Sequence, residues 1–147
     1  MWLEVISTLS AGLFAGAAIY INLVEHPARM ECGTVLAVTE FAPSYHRATY
    51  LQAGLAAVGF LSATTAWFSG AALWWLVGGI VLVAVIPFTL LVIYPTNKKL
   101  LDSSLDKSSD EAAQLLARWA KLHAVRSLLG LISSLIFIIL LARSSSA

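Results

Sequence analysis

Trp119-Ala-Lys-Leu-His123-Ala-Val-Arg126 leads directly into an uncharged run from Ser127 to Ala142, and how the two stretches join decides the fold. The uncharged run is 16 residues long. That is about 24 Å of helix at roughly 1.5 Å per residue. A bilayer hydrocarbon core is about 30 Å thick and needs about 20 residues. A spanning helix must therefore take its first turns from the stretch before Ser127, which draws His123 and Arg126 to the edge of the hydrocarbon or into it. Residues three and four apart share a helix face, so Trp119, His123 and Arg126 form one stripe. A cation near the membrane centre costs about 3 kcal/mol even on a lenient scale. Arg126 is therefore expected to face a partner or a wet cavity, while Lys121 snorkels to the headgroups. The plainer alternative has Arg126 snorkelling too, with Trp119 in the aromatic belt.

Composition points the same way. The 147 residues are 59% hydrophobic and 12% charged, with a mean hydropathy of +0.84, whereas a soluble domain carries about 25% charged residues. An integral membrane protein with one domain over 1–147 is expected. The net charge of +1 argues against a nucleic-acid partner. The single cysteine, Cys32, cannot close an internal disulfide and reads as a small filler. Met1-Trp2-Leu3-Glu4 lacks the positive start of a signal peptide, so the first apolar run is expected to be a retained membrane helix.

Val5 to Val24 is uncharged for 20 residues, and its Gly12 and Gly16 suggest close approach of a neighbouring helix. Asn22 and His26 share a face, and Pro27 is expected to stop or bend the helix. Residues 27–43 read as an interfacial connector. From Ala48 to Asn97 there is no charge for 50 residues, enough for two spans broken at Ser69-Gly70. Trp67, Trp74 and Trp75 gather at that break as an aromatic belt should, and Pro87 should kink the third helix. Residues 96–108 read as a polar loop. Ser108 and Glu111 then stand at capping-box spacing for the fourth helix. The expected fold is all-α: a four-transmembrane-helix bundle with helices at about 3–26, 44–68, 72–95 and 109–142.

Eight of the nine basic residues lie at the end reached after helices one and three, with only Arg143 at the other. The positive-inside rule then makes loops 25–47 and 96–122 cytoplasmic. Both termini fall on the external or lumenal side, and the fourth helix extends into the cytoplasm. All three histidines, His26, His46 and His123, fall at the cytoplasmic end, together with Tyr45, Tyr50, Tyr94 and Asn97. Several readings fit this concentration of polar residues. They can simply populate the interface, with Asn97 capping a helix. Two histidines and a carboxylate can form an open metal site, although the sequence has no HxxxH or ExxH pair. Or a neutral imidazole can act as a general base while Arg126 and Asn97 hold the resulting anion.

Tyr94-Pro95-Thr96-Asn97-Lys98-Lys99-Leu100, followed by Trp119-x3-His123-x2-Arg126, resembles the anthrone oxygenase-like family of small four-helix membrane proteins. The Gly-rich first helix ending in Glu25-His26-Pro27 fits the same pattern. The resemblance implies oxidation of a polyketide anthrone to an anthraquinone with O2, without a classical cofactor. It carries over to Asn97, Trp119, His123, Arg126 and His26. The expectation is therefore a membrane-embedded oxygenase acting on a small apolar, enolisable or phenolic aromatic substrate. His123 or His26 is the base, Arg126 and Asn97 stabilise the anion, and Trp119, Tyr94, Tyr50 and His46 bind substrate. No metal ligand is assigned, no cofactor is expected, and a metal ion is the alternative. Lipid is the surrounding partner, with a homo-oligomer or larger complex as a further expectation. A non-catalytic subunit or scaffold of a larger membrane complex is the competing function.

Overall fold

The computed structural model describes residues 1–144, and every regular element among them is helical. Four helices are long and apolar enough to cross a membrane: α1 (Trp2–Glu31), α2 (Thr34–Phe68), α3 (Leu73–Leu100) and α4 (Asp110–Ser144). The chain is a multi-pass integral membrane protein. Each helix packs mainly on two others, α1 and α3 each lying against both α2 and α4.

Lipid tails offer no hydrophobic drive for helices to associate, so close packing of small residues must do it. α2 buries Ala56, Gly59, Ala63 and Ala66 along one face, and α1 buries Ser7, Ser10, Ala11, Ala15 and Ala18. The tightest approaches are at Gly59, Gly78 and Gly130. A methyl group on Gly130 would lie 2.6 Å from Phe14, and one on Gly78 would lie 2.5 Å from Phe137. Gly12 is half-buried and faces Ser134 of α4, 3.8 Å from where its Cβ would be, whereas Gly16 is exposed with nothing within 4 Å, because the buried stripe of α1 runs through Ala11, Phe14, Ala15 and Ala18.

Two apolar cores result. One joins Ala11, Phe14, Ala56, Trp75, Leu82 and Phe137 in the half of the molecule near the α2–α3 turn. The other joins Ile21, Ala37, Phe41, Ile93, Leu116 and Trp119 at the opposite end.

Several boundaries differ from the sequence expectation. α1 does not stop at Pro27 but continues to Glu31. Its backbone widens into a π turn over Ile21–Glu25, just before the proline. A proline lacks an N–H and crowds the carbonyl four residues back, and the wider turn accommodates both. The connector shrinks to Cys32 and Gly33, where Gly33 takes a φ of 94° that favours glycine. α2 then starts at Thr34 and buries Ala37, Val38 and Phe41, so this segment is part of the packed structure rather than a separate surface helix. Ser69-Gly70 is the turn as expected, with Gly70 at φ 98°. Of the belt tryptophans, Trp75 is buried and stacks on Phe137 with ring centres 5.2 Å apart. α3 is interrupted at Ala84, three residues before Pro87. At α4 the capping residue is Ser109, whose Oγ accepts the Ala112 N–H at 3.2 Å. Ser108 instead closes a turn on Asp106.

Candidate functional site

Two π turns flank the site. The first, Ile21–Glu25 in α1, precedes His26-Pro27, and the second, Thr89–Ile93 in α3, precedes Tyr94-Pro95. Each proline follows its π turn by two residues, so both helices use one device at the same end of the molecule. The extra residue in each turn re-aims the side chains beyond it. Thr96 and Asn97 become buried behind the second turn, and His26 and Arg29 behind the first.

His123 is 2% exposed. Its Nδ1 lies 2.8 Å from Asn22 Oδ1. The Asn22 amide nitrogen donates to the Ala120 carbonyl at 3.1 Å, which identifies the other amide atom as the acceptor. That oxygen takes the Ser127 hydroxyl at 2.5 Å and the His123 Nδ1–H. In the neutral ring this tautomer leaves Nε2 with the lone pair. A residue on α1 thus sets the protonation pattern of a residue on α4.

Trp119 is the aromatic hub. It stacks on His123 with centres 4.7 Å apart, lies 5.4 Å from the His26 ring, and meets Phe41 edge-on at 5.3 Å. Arg126 donates to Gln52 Oε1 at 2.7 Å, and its guanidinium carbon lies 5.7 Å from the centre of the Phe14 ring. The cation is thus held by a neutral amide and an aromatic face rather than by a carboxylate.

His123, Arg126, Trp119, Asn97 and Gln52 all line one small cavity, together with Tyr45 and Ser44 from α2. Its free volume is about 20 Å³, room for roughly one water. Arg29 forms another wall. It is 5% exposed and pairs with Glu25 and, at 2.8 Å, with Glu40. Ser44 links the same group, donating to Glu25 at 2.8 Å. Several buried polar atoms have no hydrogen-bond partner among the described residues, including Asn97 Oδ1, Arg126 Nε and His26 Nδ1.

Of the residues singled out in the sequence, the structure gathers His123, Arg126, Asn97 and Trp119 on the cavity, with His26 against Trp119. It does not bring in His46, Tyr50 or Tyr94. All three are exposed, Tyr50 at 81%: His46 and Tyr50 each stand about 100° round the helix from the cavity-lining Tyr45 and Thr49, and Tyr94 stands as far from the buried Ile93. The residues missed were Gln52, Asn22 as partner of His123, and Arg29. Gln52 was findable: Phe41, Tyr45, Ala48 and Gln52 follow helical spacing on one face. Among the described residues no group of three His, Cys, Asp or Glu side chains is placed to hold a metal ion.

Residues 41–136 match the profile of a protein family described as Anthrone oxygenase. The anthrone oxygenase tpcL of Aspergillus fumigatus is 35% identical over 81 residues, covering 53% of this chain and 50% of that protein. The chain therefore spans about half the length of the curated relative it matches. No solved structure matches it. The family match takes in Gln52, Asn97, Trp119, His123 and Arg126, and leaves Asn22, His26 and Arg29 outside.

Proposed function

The chain belongs to the anthrone oxygenase family, and from that premise we propose that it is a membrane-embedded oxygenase for an apolar phenolic or enolisable aromatic substrate. The reaction turns an activated ring methylene into a ketone: CH2 and O2 give C=O and water. The methylene carbon loses four electrons and O2 gains four, so substrate and O2 balance without a further reductant.

His123 Nε2 removes the proton that generates the anion. Arg126 and Asn97 hold the negative oxygen, and Trp119 packs against the aromatic ring. The observation that carries this reading is the Asn22–His123 hydrogen bond beside Arg126 and Asn97 on one cavity. A neutral imidazole with a fixed tautomer next to a buried cation is what proton abstraction and anion stabilisation require. His26, whose ring centre lies 5.4 Å from that of Trp119, is the reserve base.

The charged end of the molecule faces the cytoplasm in this reading, since eight of the nine basic residues lie there. The test is O2 uptake by the purified protein with an anthrone, corrected for autoxidation. Loss of a general base lowers turnover by about 10²–10⁴-fold, so His123→Ala should fall to near the blank while remaining folded. Unchanged turnover removes His123 from the mechanism.

A further inference from the structure

A cavity that holds one water cannot hold a fused aromatic, so the substrate needs a way in. Beside the His123 cavity lies a second, mostly apolar cleft of about 130 Å³ between α2 and α3. Thr49, Gln52 and Arg126 line both spaces and so form the wall between them. The remaining lining includes Ala53 from α2 and Ile86, Thr89 and Leu90 from α3. Ala53 and Leu90 are exposed on the face that meets lipid.

We propose that this cleft is the substrate's entry and binding site, taking one ring of a membrane-dissolved phenol edgewise from the lipid. The Arg126–Gln52 hydrogen bond is the latch to the chemistry. The proposal rests on the oxygenase reading and adds to it a route, a size class and a gating residue. An apolar cavity of about 150 Å³ accommodates benzene, so the cleft matches one ring, and the ring that carries the reactive methylene reaches His123 only once the wall between the two spaces opens. Outside the inner wall the one polar lining residue is Thr89, whose hydroxyl donates to the Val85 carbonyl; at the inner wall the Arg126 cation meets an oxygen substituent on the leading ring. Gln52 is 2% exposed and its Oε1 accepts from Arg126 at 2.7 Å. Release of that bond frees the guanidinium for the incoming anion and opens the wall towards His123. The break in α3 at Ala84 and the π turn starting at Thr89 bracket the cleft's α3 side, where regular helical bonding is already interrupted.

The test uses a lipophilic phenol carrying a photoreactive diazirine, added to the full chain in lipid vesicles and mapped by mass spectrometry. Label is expected on the segments holding Ala53 and residues 86–90. Ala53→Phe and Leu90→Trp fill the cleft from opposite walls at exposed positions and should each abolish that label. Leu61→Phe, exposed elsewhere on α2, should leave it intact. Label on other segments, or label unchanged in both filled variants, overturns the proposal. Label in the cleft of a protein that shows no O2 uptake supports the cleft while overturning the oxygenase reading, so the two failures are distinguishable.

Discussion

At the scale of single residues, Asn22 ties the candidate site together. Its amide accepts from His123 and Ser127 and donates to the α4 backbone, which ties α1 to α4 and fixes the imidazole. In Asn22→Leu the buried His123 Nδ1–H loses its acceptor. Such an orphaned donor costs about 1–3 kcal/mol, so the detergent-solubilised protein should unfold at a lower temperature. Turnover should fall as well, because the ring is free to take the other tautomer. Wild-type turnover in a stably folded Asn22→Leu would detach the hydrogen bond from the chemistry. The stripe Trp119, His123 and Arg126 was legible in the sequence because helical spacing and the cost of a membrane cation both speak at that point. Asn22 and Gln52 were legible only as polar residues in apolar runs. Nothing local says which distant side chain they meet, since their partners are 101 and 74 positions away.

At the scale of elements, glycine contacts and loop carboxylates carry the predictions. Gly130 lets α4 approach α1 so closely that a methyl group would meet Phe14 and come within 3.5 Å of the Ala15 backbone. Phe14 also lies under the Arg126 cation. Overpacking a tight contact costs about 1–3 kcal/mol, so Gly130→Ala should lower the unfolding temperature and weaken turnover together. Gly16→Ala, which meets nothing, should do neither. In the segment between α3 and α4, Asp102 is held below the ordinary aspartate value by the Ser104 N–H and then its hydroxyl. The Ser108 hydroxyl and then its N–H do the same for Asp106. A lowered folded-state value means that the contribution is full above the ordinary 3.8 and is lost as pH falls through the lowered values. Amide exchange at Ser104 and Ser108 should therefore speed up only in that acid range, after correction for the intrinsic pH dependence of exchange. Protection unchanged down to full protonation would show that the turns hold without the charges. The helix count and the Ser69-Gly70 turn could be read from hydropathy and glycine alone. The start of α2 could not. Arg29, Glu31 and Glu40 made residues 27–43 look like a surface connector, whereas Arg29 is buried and its charge is met by the half-exposed Glu25 and Glu40.

At the scale of the whole molecule, Gln52 on α2 and His123, Arg126 and Ser127 on α4 fall between the residues that each helix gives to the two apolar cores. The α1–α2 turn and the α3–α4 loop sit at the same end, joined where Lys107 reaches Thr39 at 3.2 Å. Cys32, the sole cysteine of the sequence, is exposed in that turn. With this end cytoplasmic, a membrane-impermeant maleimide should spare Cys32 in intact cells and label it after permeabilisation. Labelling of intact cells inverts the orientation. The separation of the cores has one more consequence. The core around Phe14, Trp75 and Phe137 supplies none of the groups proposed to move a proton or hold the anion, and only Val85 and Ile86 at its edge line the entry cleft. Its outer part, around Trp75 and Phe137, bears on how thick a sheet of lipid the protein fits, and that property can drift while the contacts of Phe14, Val85 and Ile86 with the site stay as they are. A relative with one turn more or less in this half could settle in a thicker or thinner organelle membrane, at a mismatch cost of fractions of a kcal/mol per Å, and bring the same chemistry to a new address.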